Sequence, residues 1–264
     1  MKVRRKPAKR HGVVGGSSIG SGIGRLINSI VSFSCLSSLF ITTTIITTQL
    51  PTLSFALTEK EILQHLYGNL NGKNWDTEWD TDDDDICSYA GVTCNSEDHV
   101  TEIDLADNNL AGSISPYVYT LPFLKKMDMS KNRITNAGWD RIDTVLTTDE
   151  LIANIEVIDV TNNLINSVEG VTKLKDSLVG LHMTYNNLKG TMPSELFDLE
   201  KLEILAISEN ELTGTVDTNL GRLTNLLEFY CYGNKLTGEI PWEIGYLTKV
   251  KIFTVSSLIC RVVV

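Results

Sequence analysis

The chain has 264 residues, enough for one or two domains, and its 42% hydrophobic, 21% charged and 7% aromatic content excludes a disordered or collagen-like protein. Its formal charge of −10 is unevenly spread: residues 1–57 carry seven Lys/Arg and no Asp/Glu, leaving 16 basic against 33 acidic residues, a balance of −17, in the remainder. An acidic body repels phosphates, which argues against nucleic-acid binding, and five cysteines are too few for a disulfide-dense miniprotein while allowing one structural bridge.

The first element reads as an export leader. Lys2, Arg4, Arg5, Lys6, Lys9 and Arg10 form a basic start, and residues 26–58 are 33 positions without a charge. Ser54 and Ala56 supply the small residues of a cleavage site, so residues 1–56 are expected to be a signal peptide cleaved after Ala56. The uncharged run also exceeds the ~20 residues that span a bilayer, so a retained type II anchor is the alternative, with organelle import or a misread start behind it. The export readings place the acidic part outside the cytosol, secreted or at the cell surface.

The second element, residues 57–99, reads as a cap. Thr58 and Glu61 have the spacing of a capping box, Leu57 and Ile62 that of a hydrophobic staple, and Leu63, Leu66, Tyr67 and Leu70 follow at helical spacing. The run Asp82, Asp83, Asp84, Asp85 lacks the alternation and glycine of a calcium loop and is expected to be solvated.

From residue 100 the pattern L-x-x-L-x-L-x-x-N-x-L recurs, with starts at Val100, Leu124, Ile155, Leu178, Leu202, Leu226 and Val250, spaced 24, 31, 23, 24, 24 and 24. Six copies are complete; the seventh begins at Val250, Phe253 and Val255 and then fails, and residues 258–264 form an anomalous tail. Each repeat is one coil that buries its apolar face only against the next, with one short strand per coil. The ninth position is always asparagine: Asn108, Asn132, Asn163, Asn186, Asn210 and Asn234. Having both donor and acceptor, it is expected to satisfy buried backbone groups where the chain leaves the strand. Replacing one should therefore cost stability, whereas Asp217, on the convex side, should be nearly silent. The second repeat carries the insertion, where Trp139, Ile142 and Leu146 have helix-like spacing.

Four repeats continue with Gly112 and Ile114, Gly190, Met192 and Pro193, Gly214 and Val216, and Gly238, Ile240 and Pro241. With these residues the chain resembles the plant-type leucine-rich repeat, and Asn71, Gly72, Trp75, Trp79, Cys87, Tyr89, Gly91, Val92 and Cys94 resemble the N-terminal cysteine cap of that class, Tyr89 standing for the usual tryptophan. The resemblance covers about residues 57–257 and extends to algal and protist secreted or surface proteins, polygalacturonase-inhibiting proteins and receptor-kinase ectodomains. It implies an α/β fold: a right-handed leucine-rich-repeat solenoid with a curved parallel sheet and a helical N-terminal cap. It also implies an extended segment at the convex prolines, a Cys87–Cys94 disulfide, and doubtful convex geometry in repeats two and three, which lack the Gly-x-Ile-Pro element.

Strand alternation sends positions four and six inward, so positions three, five, seven and eight are expected on the concave face. There Asp104, Asp128 and Asp159, with Glu102, Asp107 and Glu156, make an acidic end relieved by Lys126 and Lys131, while His182, Tyr185, Tyr230 and Tyr232 make an aromatic patch. Asp159 and His182 hold the same position in adjacent strands and are candidates to pair. No nucleophile, phosphate loop, zinc spacing or dinucleotide fingerprint accompanies them, so no enzyme activity, metal or cofactor is expected. The reading is an extracellular or cell-surface recognition protein that binds a protein or glycan ligand on its concave face, touching a membrane only through an uncleaved leader. A membrane-anchored receptor ectodomain is the alternative, and a glycan-processing enzyme a remote one. The abrupt end after Val255 suggests a truncated coding sequence, or an apolar tail that seals the last coil or docks on a partner.

Overall fold

The computed structural model describes residues 57–145 and 152–255. The leader, Leu146 and the tail lie outside the described residues. Seven parallel strands, one per repeat, run Val100–Asp104, Lys126–Asp128, Val157–Asp159, Gly180–His182, Ile204–Ala206, Glu228–Cys231 and Ile252–Val255. They stand side by side in chain order, and Val92–Cys94 of the cap pairs antiparallel with the first, giving an eight-stranded sheet. Register aligns the fourth positions into one inward row, Ile103, Met127, Ile158, Leu181, Leu205, Phe229 and Phe253. Every member up to Phe229 is buried, so each coil supplies the apolar surface that the previous one lacks.

The strands are short because the eighth position leaves the sheet. Asp107, Lys131, Asn162, Tyr185 and Glu209 all take left-handed φ values of 50 to 56°, and Gly233 takes 67°. Strand alternation therefore stops at position seven, and residues at position eight reach the concave side by a turn. A non-glycine residue in this conformation costs about 1–2 kcal/mol, which the following asparagine offsets.

Each ladder asparagine ties two coils. Asn210 donates from Nδ2 to Met183 O of the preceding coil (3.0 Å) and to Ile207 O and Ser208 O of its own (3.1 and 3.0 Å), while its Oδ1 accepts the Leu188 N–H (3.0 Å). Asn163, Asn186 and Asn234 repeat this arrangement. Asn132 accepts from both Asn108 and Leu110 amides. Asn108, with no coil before it, turns to the cap: its Oδ1 accepts the Thr77 N–H at 2.6 Å and its Nδ2 donates to Thr77 O.

The convex side carries 3-10 turns at Pro116–Thr120, Trp139–Arg141, Val171–Leu174, Ser194–Asp198, Thr218–Arg222 and Trp242–Tyr246. Pro193 and Pro241 are themselves extended, and each starts a 3-10 turn, because their fixed φ suits the residue before the first turn. Short strands precede these turns in two further sheets: Ala111–Ser113 with Arg133–Asn136, and Lys189–Gly190, Glu211–Gly214 and Lys235–Leu236. Repeat two thus keeps a convex strand without the glycine-proline element. Among the described residues repeat three supplies none, and the second layer is split there. The insertion forms the Trp139–Arg141 turn and one helical turn, Ile142–Val145, with Trp139 and Ile142 buried. Asp217 corrects an expectation: it caps the Thr218–Arg222 turn by accepting the Asn219 N–H at 2.8 Å, so it is no silent position.

The cap helix spans Glu59–Asn69, with the Thr58–Glu61 capping box formed in both directions and Ile62, Leu63 and Leu66 buried. Glu59 joins it to the first strand, accepting the Val100 N–H at 2.8 Å and meeting His99 Nδ1 at 2.9 Å. Tyr67, Trp75, Trp79 and Tyr89 form a ring cluster with successive centroids 5.0–5.2 Å apart. The Tyr89 hydroxyl, which a tryptophan would lack, donates to Asp83 O at 3.0 Å. The Asp82–Asp85 carboxylates turn the chain and pair locally: Asp83 and Asp85 accept backbone amides two residues on, and Asp84 meets Lys60 at 2.6 Å. Cys87 and Cys94 form a disulfide across seven positions of sequence. Closing so short a loop constrains the unfolded chain by about 2–3 kcal/mol, so Cys87→Ser with Cys94→Ser should lower the unfolding free energy extrapolated from urea melts by that amount. Hydrogen-exchange protection should fall in the cap before the later repeats.

Candidate ligand-binding face

On the concave side the fifth positions align as Asp104, Asp128, Asp159, His182, Ala206, Tyr230 and Thr254. The third positions align as Glu102, Lys126, Val157, Gly180, Ile204, Glu228 and Ile252 in the same register. Past Asp159 these two rows turn from mostly charged to mostly uncharged, Glu228 excepted.

The three aspartates have local work. Asp104, Asp128 and Asp159 each accept, through Oδ1, the amide two residues on: Ala106 (3.2 Å), Ser130 (2.9 Å) and Thr161 (2.8 Å). These bonds end the strands and commit one oxygen of each carboxylate, which concave position alone did not indicate. Asp159 and His182 are register partners, but among the described residues no ion pair joins them. His182 instead leans over Gly180, where a Cβ would stand 3.6 Å from its Nε2 and 3.5 Å from Val157.

Tyr185 is 54% exposed and Tyr232 42%, while His182 and Tyr230 are half-buried. The Tyr230 hydroxyl donates to Glu228 Oε2 at 2.9 Å, and that hydrogen bond, with desolvation adding, raises the phenol above its usual pKa. Between the exposed tyrosines stands repeat five, with Ser208 and Glu209. Ser208 is fully buried and its hydroxyl meets no partner; Glu209 rests its carboxylate against Gly233, where an added Cβ would fall 2.4 Å from Cδ. The signal for Glu209 lay in the sequence as the glycine in place of a side chain at position eight of the next repeat.

The flank differs. Arg222 meets Asp198 at 2.7 Å and Glu200 at 3.3 Å, and Lys173 meets Asp143 at 2.8 Å, so the charges lining the cleft there stitch successive coils together. No helix among the described residues is long and apolar enough to cross a membrane.

A family model described as Leucine Rich Repeat matches residues 225–247, which include the Asn234 turn and the Gly238–Pro241 bend. The chain carries leucine-rich repeats. The MDIS1-interacting receptor like kinase 1 of Arabidopsis thaliana is 30% identical over 125 residues, covering 47% of this chain and 11% of that protein. The S-cell enriched with leucine-rich repeat-containing protein slrA of Dictyostelium discoideum is 28% identical over 141 residues, covering 47% and 10%. Among solved structures, the Arabidopsis receptor kinase HAESA, in complex with the peptide hormone IDA and the co-receptor SERK1, superposes with a TM-score of 0.64 at 27% identity. It covers 74% of this leucine-rich-repeat chain and 33% of that one. The chain thus spans about a tenth of the two curated relatives and a third of the HAESA chain.

Proposed function

We propose that this leucine-rich-repeat protein is a non-catalytic recognition module, secreted or displayed at the cell surface, that binds a protein ligand on its concave face. The observation that carries the reading is the pair of exposed tyrosines, Tyr185 and Tyr232, beside His182 and Tyr230 on an open sheet. Tyrosine offers large contact area at low entropic cost, and such rings on an uncovered face are the usual anchors of an interface. The likeness to HAESA, solved with a peptide hormone, supports a peptide or protein rather than a glycan. The disulfide and the basic-then-uncharged leader support an oxidising compartment. The concave carboxylates lie on an open sheet and serve as turn caps, which supports binding over hydrolysis.

The test is a pull-down from surface-displayed protein followed by affinity measurement on the captured ligand. Tyr230→Ala with Tyr232→Ala should weaken binding tenfold or more, with circular dichroism unchanged. Association with a basic protein should slow as salt rises, whereas a neutral glycan stacked on the rings would be nearly salt-independent. Unchanged affinity in the double variant would move the site off the concave face.

A further inference from the structure

Positions seven and eight of repeats four, five and six come together as Thr184 and Tyr185, Ser208 and Glu209, and Tyr232 and Gly233. The Tyr185 N–H donates to Ser208 O at 3.1 Å and the Glu209 N–H to Tyr232 O at 2.8 Å, so the three turns are locked edge to edge. Tyr185 and Tyr232 therefore flank repeat five from either side, with backbones about 9–10 Å apart at the usual strand spacing. That separation lets one planar group lie between two rings within the ~6 Å reach of cation–π attraction.

The turn between them carries a carboxylate. Among the described residues no Lys or Arg meets Glu209, whereas Glu211 two residues on is held by Lys189 and Lys235. The position of Glu209 depends on Gly233: any side chain there would overlap the carboxylate, at 2.4–2.6 Å from the added Cβ.

We infer that Tyr185, Glu209 and Tyr232 form a subsite for an arginine side chain of a protein ligand. The guanidinium is the occupant because it alone among common side chains is planar enough to stack between two rings, charged to match Glu209, and shaped to give a carboxylate two parallel N–H donors. The −17 balance of residues 58–264 favours such a basic partner. The inference rests on the concave-face reading and names the ligand chemistry of that face.

The test uses heptapeptides Gly-Ser-Gly-X-Gly-Ser-Gly with X as arginine, lysine, citrulline or phenylalanine, titrated into the protein by calorimetry while the Tyr185 and Tyr232 ring resonances are followed. The arginine peptide should shift both rings saturably, and citrulline, isosteric but uncharged, should bind at least tenfold more weakly, with lysine between. Glu209→Gln should erase the preference for arginine over citrulline, and Gly233→Ala should do the same by displacing the carboxylate. If Gly233→Ala fails to fold, Glu209→Gln decides alone. Equal binding of arginine and citrulline, tighter binding of phenylalanine, no saturable binding of the arginine peptide, or an unaltered preference in Glu209→Gln would each overturn the subsite. A phenylalanine peptide that moves the tyrosine rings where arginine does not would overturn the arginine subsite while leaving the concave-face reading standing, since that reading falls only with the tyrosine double variant.

Discussion

Gly91→Ala is expected to destabilise the protein by about 2–4 kcal/mol, the sum of backbone strain and a broken main-chain hydrogen bond. Gly91 has φ +80°, and a Cβ there would lie 1.9 Å from the carbonyl oxygen of Asp104, a main-chain atom of the first repeat strand. That atom cannot move alone, because the Asp104 N–H donates to Gly91 O at 2.7 Å and Val92 pairs with Ile103. The alanine would push Val92–Cys94 off the sheet and open the cap where the disulfide sits. Gly190 is the control, with φ +78° and nothing within 4 Å of its Cβ position, so Gly190→Ala should cost only the ~1–2 kcal/mol of the left-handed backbone. Urea melts of the two variants separate strain from collision, and equal costs would remove the collision as the cause.

That glycine belongs to the cysteine-cap motif, and the contrast shows what kind of information a motif carries. The repeat period made the parallel sheet legible because positions one, four and six must be apolar for coils to stack, and six asparagines in phase marked where each strand ends. Thr58 and Glu61 announced the cap helix because a capping box is a local device. Contacts between coils were less legible. Nothing in the spacing alone says that the eighth position turns left-handed, since Tyr185 and Glu209 are residues that avoid that conformation. Strand alternation therefore counted position eight as strand. Asp104, Asp128 and Asp159 looked like ligand groups because they share a face, while the amides they accept are two residues ahead in the same chain. Asp217 looked idle for the same reason. Glu209 gains meaning only from Gly233 of the next coil, a relation that sequence shows only once the register is known.

The ladder itself gives the sharpest test of how coils hold one another. Asn210→Ala should cost about 3 kcal/mol, because the buried Leu188 N–H loses its acceptor and Met183 O, Ile207 O and Ser208 O lose a donor. Asn186→Ala should cost a similar amount through Ile165 N–H, Val160 O, Met183 O and Thr184 O. Lys175→Ala, at an exposed position on the flank, should stay within ~0.5 kcal/mol of the parent. The two asparagines share one acceptor: Met183 O takes Nδ2 of Asn186 at 3.2 Å and of Asn210 at 3.0 Å. Either amide alone keeps that carbonyl bonded, so only the double variant leaves it bare. The double variant should therefore lose more than the sum of the singles, by about 0.5–1.5 kcal/mol. Asn132→Ala with Asn210→Ala shares no acceptor and should be additive within ~0.5 kcal/mol. Urea melts of the singles and both doubles complete the cycle, and additivity in the Asn186 and Asn210 pair would mean that each asparagine serves its own coil rather than linking it to the next.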